Sequence, residues 1–219
     1  MNMNPIPMTP NRVRVKICGI AHPKDAEDAI EAGADALGFN GFPGSKRFLD
    51  LPSASGWMAQ LPPFVTRVAV LVNPTVAEAE AVQALPGVDR LQFHGDETPE
   101  FCARFLQRGF LKALAARDRA ALLAASRYGA SAILLDAFVP GAYGGTGCLI
   151  DLDLAAAFVR ENPGLRVILS GGLTPENVAA AVRAVRPHAV DVASGVESHS
   201  CKKDKMRMRD FIAAVRDAG

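Results

Sequence analysis

The chain has 219 residues, 49% hydrophobic and 21% charged, which excludes a disordered chain and supplies enough apolar material for one sizeable core. A net charge of +1 gives no electrostatic footprint for nucleic acid or for an acidic membrane surface. No apolar run approaches the ~18–20 residues needed to span a bilayer.

Residues 1–11, with prolines at 5, 7 and 10 and no apolar core region, read as a flexible extension rather than a secretory signal. A single domain is expected over 12–219. Short β-branched runs there alternate with Ala-rich segments of helical period. Val13 to Ile17 reads as a first strand, followed by a helix from Lys24 to Ala32 that Gly33 closes. Ala36–Phe39 is a second strand and Ser53–Leu61 its helix; Val68–Val72 is a third, with Val76–Leu85 helical after it. Leu91–Phe93 is the fourth, and Pro99, suited to a first helical turn, opens a helix to Gln107. Phe110–Ala113 is a weak fifth strand before a helix over Arg117–Arg127. Ile133–Leu135, Val167–Leu169 and Val190–Ala193 are the last three strands. Their helices run over Leu152–Glu161, over Pro175–Val185 behind a Thr174 cap, and over Met206–Asp217. Eight strand-helix pairs without a linker between halves point to an α/β fold, a single (β/α)₈ TIM barrel, with a doubly wound open sheet as the structural rival.

In either parallel fold, reactive groups belong at the carboxyl ends of the strands. Lys16 and Cys18-Gly19 follow strand one, Gln92 and His94-Gly95 sit at strand four, and Asp136 ends strand six. Ser170-Gly171-Gly172 ends strand seven and Ser194-Gly195 ends strand eight, the usual barrel phosphate site. Bare glycine amides can face phosphate oxygens there; tight strand-to-helix turns would also account for them. Cys18 can act as a base or nucleophile if a nearby positive charge lowers its pKa, or can be a packing residue. Cys102 and Cys148 read as packing residues, and Cys201 lies in a polar loop. The four cysteines lack CxxC or Cys/His spacing, so no metal site is expected, and reduced thiols in a cytoplasmic location are the default. Arg47 offers a planar guanidinium to a carboxylate or phosphate, or forms an ordinary solvated pair with Lys46. His94 either reaches the site or only hydrogen-bonds the rim.

The motifs Lys16-Ile-Cys-Gly-Ile20, Leu91-Gln-Phe-His-Gly-Asp-Glu97, Leu134-Leu-Asp136, Tyr143-Gly-Gly-Thr-Gly147, Leu169-Ser-Gly-Gly-Leu-Thr-Pro-Glu-Asn177 and Val190-Asp-Val-Ala-Ser-Gly-Val-Glu197 together resemble those of phosphoribosylanthranilate isomerase, a tryptophan-biosynthesis enzyme. They run in order over nearly the whole chain. The resemblance implies a (β/α)₈ barrel and an Amadori rearrangement of N-(5-phosphoribosyl)anthranilate to 1-(2-carboxyphenylamino)-1-deoxyribulose 5-phosphate. It implies Cys18 as general base and Asp136 as general acid. It places the anthranilate carboxylate on Arg47 and the phosphate on Gly171, Gly172, Ser194 and Gly195, with His94, Gly145 and Asp191 at the substrate. Tyr143 to Gly147 would then cover the anthranilate end. No metal or organic cofactor is implied, the partner is a small-molecule substrate, and the family occurs as monomer or homodimer. The family's Phe-Asp-Trp is Ile150-Asp-Leu152 here, its Pro-Gly is Ser200-Cys201, and Asn40-Gly41 stands where bulkier residues are common. A histidine-pathway isomerase is the alternative enzyme; its pair of aspartates is not matched, since the first-strand position is cysteine. A sugar-phosphate-binding barrel without activity is the non-enzymatic alternative.

Overall fold

The apolar runs are short because each strand is buried on both sides, one row of side chains filling the barrel and the other meeting the helices. In a computed structural model that describes residues 12–137 and 149–219, eight parallel strands close on themselves in sequence order. They are β1 (Arg14–Cys18), β2 (Ala36–Asn40), β3 (Thr66–Leu71), β4 (Arg90–Phe93), β5 (Phe110–Ala115), β6 (Ala132–Asp136), β7 (Val167–Leu169) and β8 (Ala189–Val192). The open-sheet rival is excluded by the pairing of β1 with β8. That closure sets Lys16 beside Asp191 and Ile17 beside Val192.

Helices α1 (Pro23–Ala32), α2 (Leu51–Met58), α3 (Val76–Gln83), α6 (Leu152–Glu161) and α8 (Lys205–Arg216) fall close to their predicted spans. Between them, α4 is only Pro99–Cys102 and tightens into a 3₁₀ turn over Ala103–Phe105. This turn seats Phe105 against Phe93 with ring centroids 5.1 Å apart. Similarly, α5 (Arg119–Leu122) gives way to a 3₁₀ turn at Ala125–Tyr128. The predicted helix over Arg117–Arg127 buries only Leu122 and Ala125 of its apolar residues, while Leu123 is 76% exposed, too narrow a face to hold a full helix. The seventh helix, α7 (Val178–Val185), starts three residues later than expected. Asn177 accounts for the delay, because its side chain accepts from the Thr174 amide and donates to the Gly172 carbonyl, so Thr174 belongs to the turn and is not the cap. A small antiparallel hairpin, β9 (Glu197–His199) and β10 (Lys202–Lys203), carries no apolar alternation and was not expected.

The main core lies between strands and helices, with a smaller apolar layer of Ala113, Ala132, Leu134, Ile168 and Ala189. One buried cation is built into the outer layer. Lys112 donates to Glu97 at 2.9 Å and to the Gly95 carbonyl at 2.7 Å. Glu97 also accepts from the backbone amides of Asn73 and Gly95. The pair therefore fastens the turn after β4 to β5 and to the loop after β3. The extension 1–11, Gly145, Cys148 and the Tyr143–Gly147 loop lie outside the described residues.

Removing one partner from a buried pair strands the other charge, which costs about 3–5 kcal/mol. Lys112→Met is expected to lose stability on that order in urea unfolding; a midpoint equal to that of the parent chain would show that Glu97 is not held by this lysine.

Candidate active site

Residues two apart on a strand share a face, so the inward row of each strand delivers one side chain to the mouth. On β1 this row is Lys16 then Cys18, on β6 Leu134 then Asp136, and on β8 Ala189 then Asp191. These ends open onto a cleft lined by Cys18, Arg47, His94, Asp136, Gly171, Gly172, Asp191 and Ser194. Eight of the ten residues singled out from the sequence thus come together. Gly195 sits instead against the Leu173 backbone, where a Cβ would run into the Leu173 carbonyl oxygen, and Gly145 is not described.

One side of the cleft carries the sulfur. Cys18 pairs in register with Gly38 on β2. A Cβ on Gly38 would stand 2.7 Å from the Cys18 Sγ and 2.9 Å from the Lys16 Nζ, so this glycine leaves the space where thiol and ammonium meet. Lys16, 3% exposed, donates to Asp191 Oδ1 at 2.7 Å, and Ser170 Oγ donates to Asp191 Oδ2 at 3.3 Å. Burial works against the Lys16 charge, but Asp191 and Cys18 more than offset it and hold the ammonium above its usual range. Burial pushes the Cys18 thiol up, Lys16 and Lys203 pull it down, and Asp191 adds to the rise, leaving it above the ordinary value.

The other side carries the acid. Asp136 Oδ1 accepts from the Ala137 amide at 2.9 Å, and Oδ2 lies 3.2 Å from His94 Nε2. Gln92 Nε2 lies 2.8 Å from His94 Nδ1. With that amide donating, the imidazole carries its proton on Nε2 and donates to Asp136, so His94 does more than decorate the rim. The Lys112–Glu97 pair sets His94 in place by fixing Gly95 beside it.

Arg47 is not paired with Lys46 in solvent. Its Nε and Nη2 donate to Glu197 at 2.6 and 2.9 Å, a two-point contact that leaves Nη1 toward other acceptors. Glu197 also accepts from Lys203 at 3.0 Å and from the Cys201 amide at 3.3 Å, while the Cys201 Sγ donates to the Lys46 carbonyl at 3.0 Å. Hairpin β9–β10 and the loop after β2 are thereby locked together over the Cys18 side. Cys201 takes a left-handed backbone, φ 67°, in the hairpin turn. The sequence places Lys16 at the end of strand one without a role, while Lys203, Gly38 and Glu197 as contributors escape sequence reasoning. The strand period adds that Lys16 shares the Cys18 face. Among the described residues no group of three His, Cys, Asp or Glu is placed to hold a metal ion. No helix among them is long and apolar enough to cross a membrane.

Glu197 is held below the usual carboxylate range: burial raises it, and Arg47 with Lys203 lowers it further. A depressed carboxylate contributes stability above its unfolded value, 4.5, that is lost as pH falls through the lower folded one. Thermal melts from neutral to acid pH should therefore show a shallower acid-side loss for Glu197→Gln than for the parent chain, and equal slopes would count against the network.

The family model described as N-(5'-phosphoribosyl)anthranilate isomerase matches residues 15–214. The isomerase of that name from Geobacter metallireducens is 48% identical over 204 residues, covering 93% of this chain and 99% of its own. A solved isomerase in complex with reduced 1-(o-carboxyphenylamino)-1-deoxyribulose 5-phosphate is 37% identical, with a TM-score of 0.81 over 94% of this chain and 99% of that one. A structure of monomers generated from the dimeric isomerase of Thermotoga maritima is 35% identical, with a TM-score of 0.82 over the same shares, 94% and 99%. The chain belongs to the N-(5'-phosphoribosyl)anthranilate isomerase family, enzymes of tryptophan biosynthesis.

Proposed function

We propose that this isomerase carries out its Amadori rearrangement with Asp136 as general acid and Cys18 as general base. The observation that supports the reading best is that the two residues line one cleft from strands on different sides of the barrel, β1 and β6. Protonated Asp136 gives its proton to the furanose ring oxygen, the C1′–O bond breaks, and the anilino nitrogen supplies the electrons that form the iminium. The Cys18 thiolate then takes the C2′ proton. The C–H electron pair becomes the C1′=C2′ bond, the iminium π pair returns to nitrogen, and the enolamine tautomerises to the ketone. The nitrogen is the electron sink, so the steps proposed are proton transfers. His94 orients the Asp136 carboxyl.

Arg47, with Nη1 available beside its Glu197 contact, holds the anthranilate carboxylate. The phosphate goes to the turns after β7 and β8, where Gly171 and Gly172 adopt φ 90° and 62° and Ser194 lines the same cleft. Such left-handed glycines turn the backbone sharply enough to aim successive amides at an anion. A cytoplasmic location is part of the same reading, supported by free thiols at Cys18, Cys102 and Cys201 among the described residues.

The anthranilate ring fluoresces, so turnover can be followed continuously with freshly made substrate. Cys18→Ala and Asp136→Asn should each lower kcat by roughly 10²–10⁴ while circular dichroism stays that of the parent chain. Near-parental turnover in either folded variant removes that residue from the mechanism.

We further propose a homodimer rather than a monomer. Phe64, just before β3, is 96% exposed beside a surface hollow at the amino-terminal end of the barrel, and a large apolar ring so placed gains by being covered. Sedimentation velocity should give twice the 23.1 kDa chain mass for the parent protein and a monomer for Phe64→Glu; a monomeric parent chain rules the dimer out.

A further inference from the structure

The reading of Cys18 as general base leaves a problem, because a half-buried thiol should resist losing its proton. The groups facing the sulfur are few. Lys16 is on its own strand, Asp191 comes from β8, Lys203 from β10, and Arg47 from the loop after β2. Of the cations, Lys16 acts most strongly on the Cys18 sulfur, ahead of Lys203. The Lys16 side chain cannot swing away, since the β1–β8 register sets Asp191 directly opposite and its Oδ1 accepts from Nζ at 2.7 Å. Asp191 is itself fixed by Ser170. The vacant Cβ position of Gly38 admits both Sγ and Nζ to one small volume.

We propose that Lys16 is the positioning residue for Cys18: it holds the sulfur at the cleft and stabilises its thiolate, while Asp191 anchors Lys16 and tempers its charge. The inference rests on the base assignment for its catalytic meaning, but its direct consequence is a property of the sulfur alone. The two members of the Lys16–Asp191 pair should act on the thiol in opposite directions. Deleting the cation removes the charge that favours the thiolate. Deleting the carboxylate leaves that cation unneutralised, and the thiolate becomes easier to form.

The test is the pH dependence of Cys18 alkylation by iodoacetamide in the full chain, followed by peptide mass spectrometry. Relative to the parent protein, the alkylation midpoint is expected to rise by about one pH unit or more in Lys16→Met and to fall in Asp191→Asn. In Lys16→Arg, which keeps the charge, it should stay within about half a unit. In turnover, Lys16→Met should lose kcat near neutral pH, recover part of it at higher pH, and change KM little. A residue with only a packing role would move neither the midpoint nor the pH profile. An unchanged midpoint in Lys16→Met, or a rise in Asp191→Asn, overturns the proposal. If Lys16→Met does not fold, the sign of the Asp191→Asn shift decides alone. The base assignment is judged separately: full turnover in Cys18→Ala would refute it even with both alkylation shifts present.

Discussion

The register at which β8 meets β1 is the constraint on which the rest of the site depends. It fixes Lys16 opposite Asp191, and both are nearly inaccessible to water. Burying two charges is costly, and their attraction offsets that cost only when the geometry is good and the remaining polar atoms are satisfied. Here Nζ reaches one carboxylate oxygen and Ser170 the other, so the pair is tolerated at the centre of the barrel. A slip of one residue would turn every inward side chain of the strand outward, taking Cys18 from the mouth and Lys16 from its partner. Closure of the sheet and assembly of the reactive side are therefore one event.

Two other buried carboxylates do for the loops what Asp191 does for the strands. Glu97 gathers backbone amides from the loops after β3 and β4 and is neutralised by Lys112 from β5. Glu197 gathers Arg47, Lys203 and the Cys201 amide, tying the loop after β2 to the hairpin after β8. Each replaces solvent that a surface loop would otherwise keep, and so converts segments with little apolar content into rigid walls. The cleft is polar because its walls are held together by charge rather than by packing.

The barrel was legible in the sequence because its strands are continuous apolar runs at regular spacing, and that pattern has few other solutions. The mouth residues were legible for the same reason, since Cys18, Asp136 and Asp191 each stand at or within two residues of a run's end. The hairpin at Glu197–Lys203 was not, because six polar residues and a cysteine leave no period for inspection. The late start of α7 was hidden in Asn177, whose side chain prefers the turn's own backbone to capping the next helix. The meaning of Gly38 was also invisible: a glycine inside a strand reads as weakness until the neighbouring strand is seen to fill its missing Cβ with a sulfur and an ammonium. Arg47 could be picked as an anion receptor by type, but its prior engagement by Glu197 depended on a contact 150 residues away in sequence.

The Lys16–Asp191 contact joins residues 175 apart, the first strand to the last. During synthesis the amino-terminal strand emerges with its cysteine long before the carboxylate that steadies its lysine exists. Until β8 docks, the lysine beside that cysteine lacks the carboxylate that anchors it. The chemistry of the cysteine is thus a record of completion, acquired by the thiol at the moment the last strand closes the barrel.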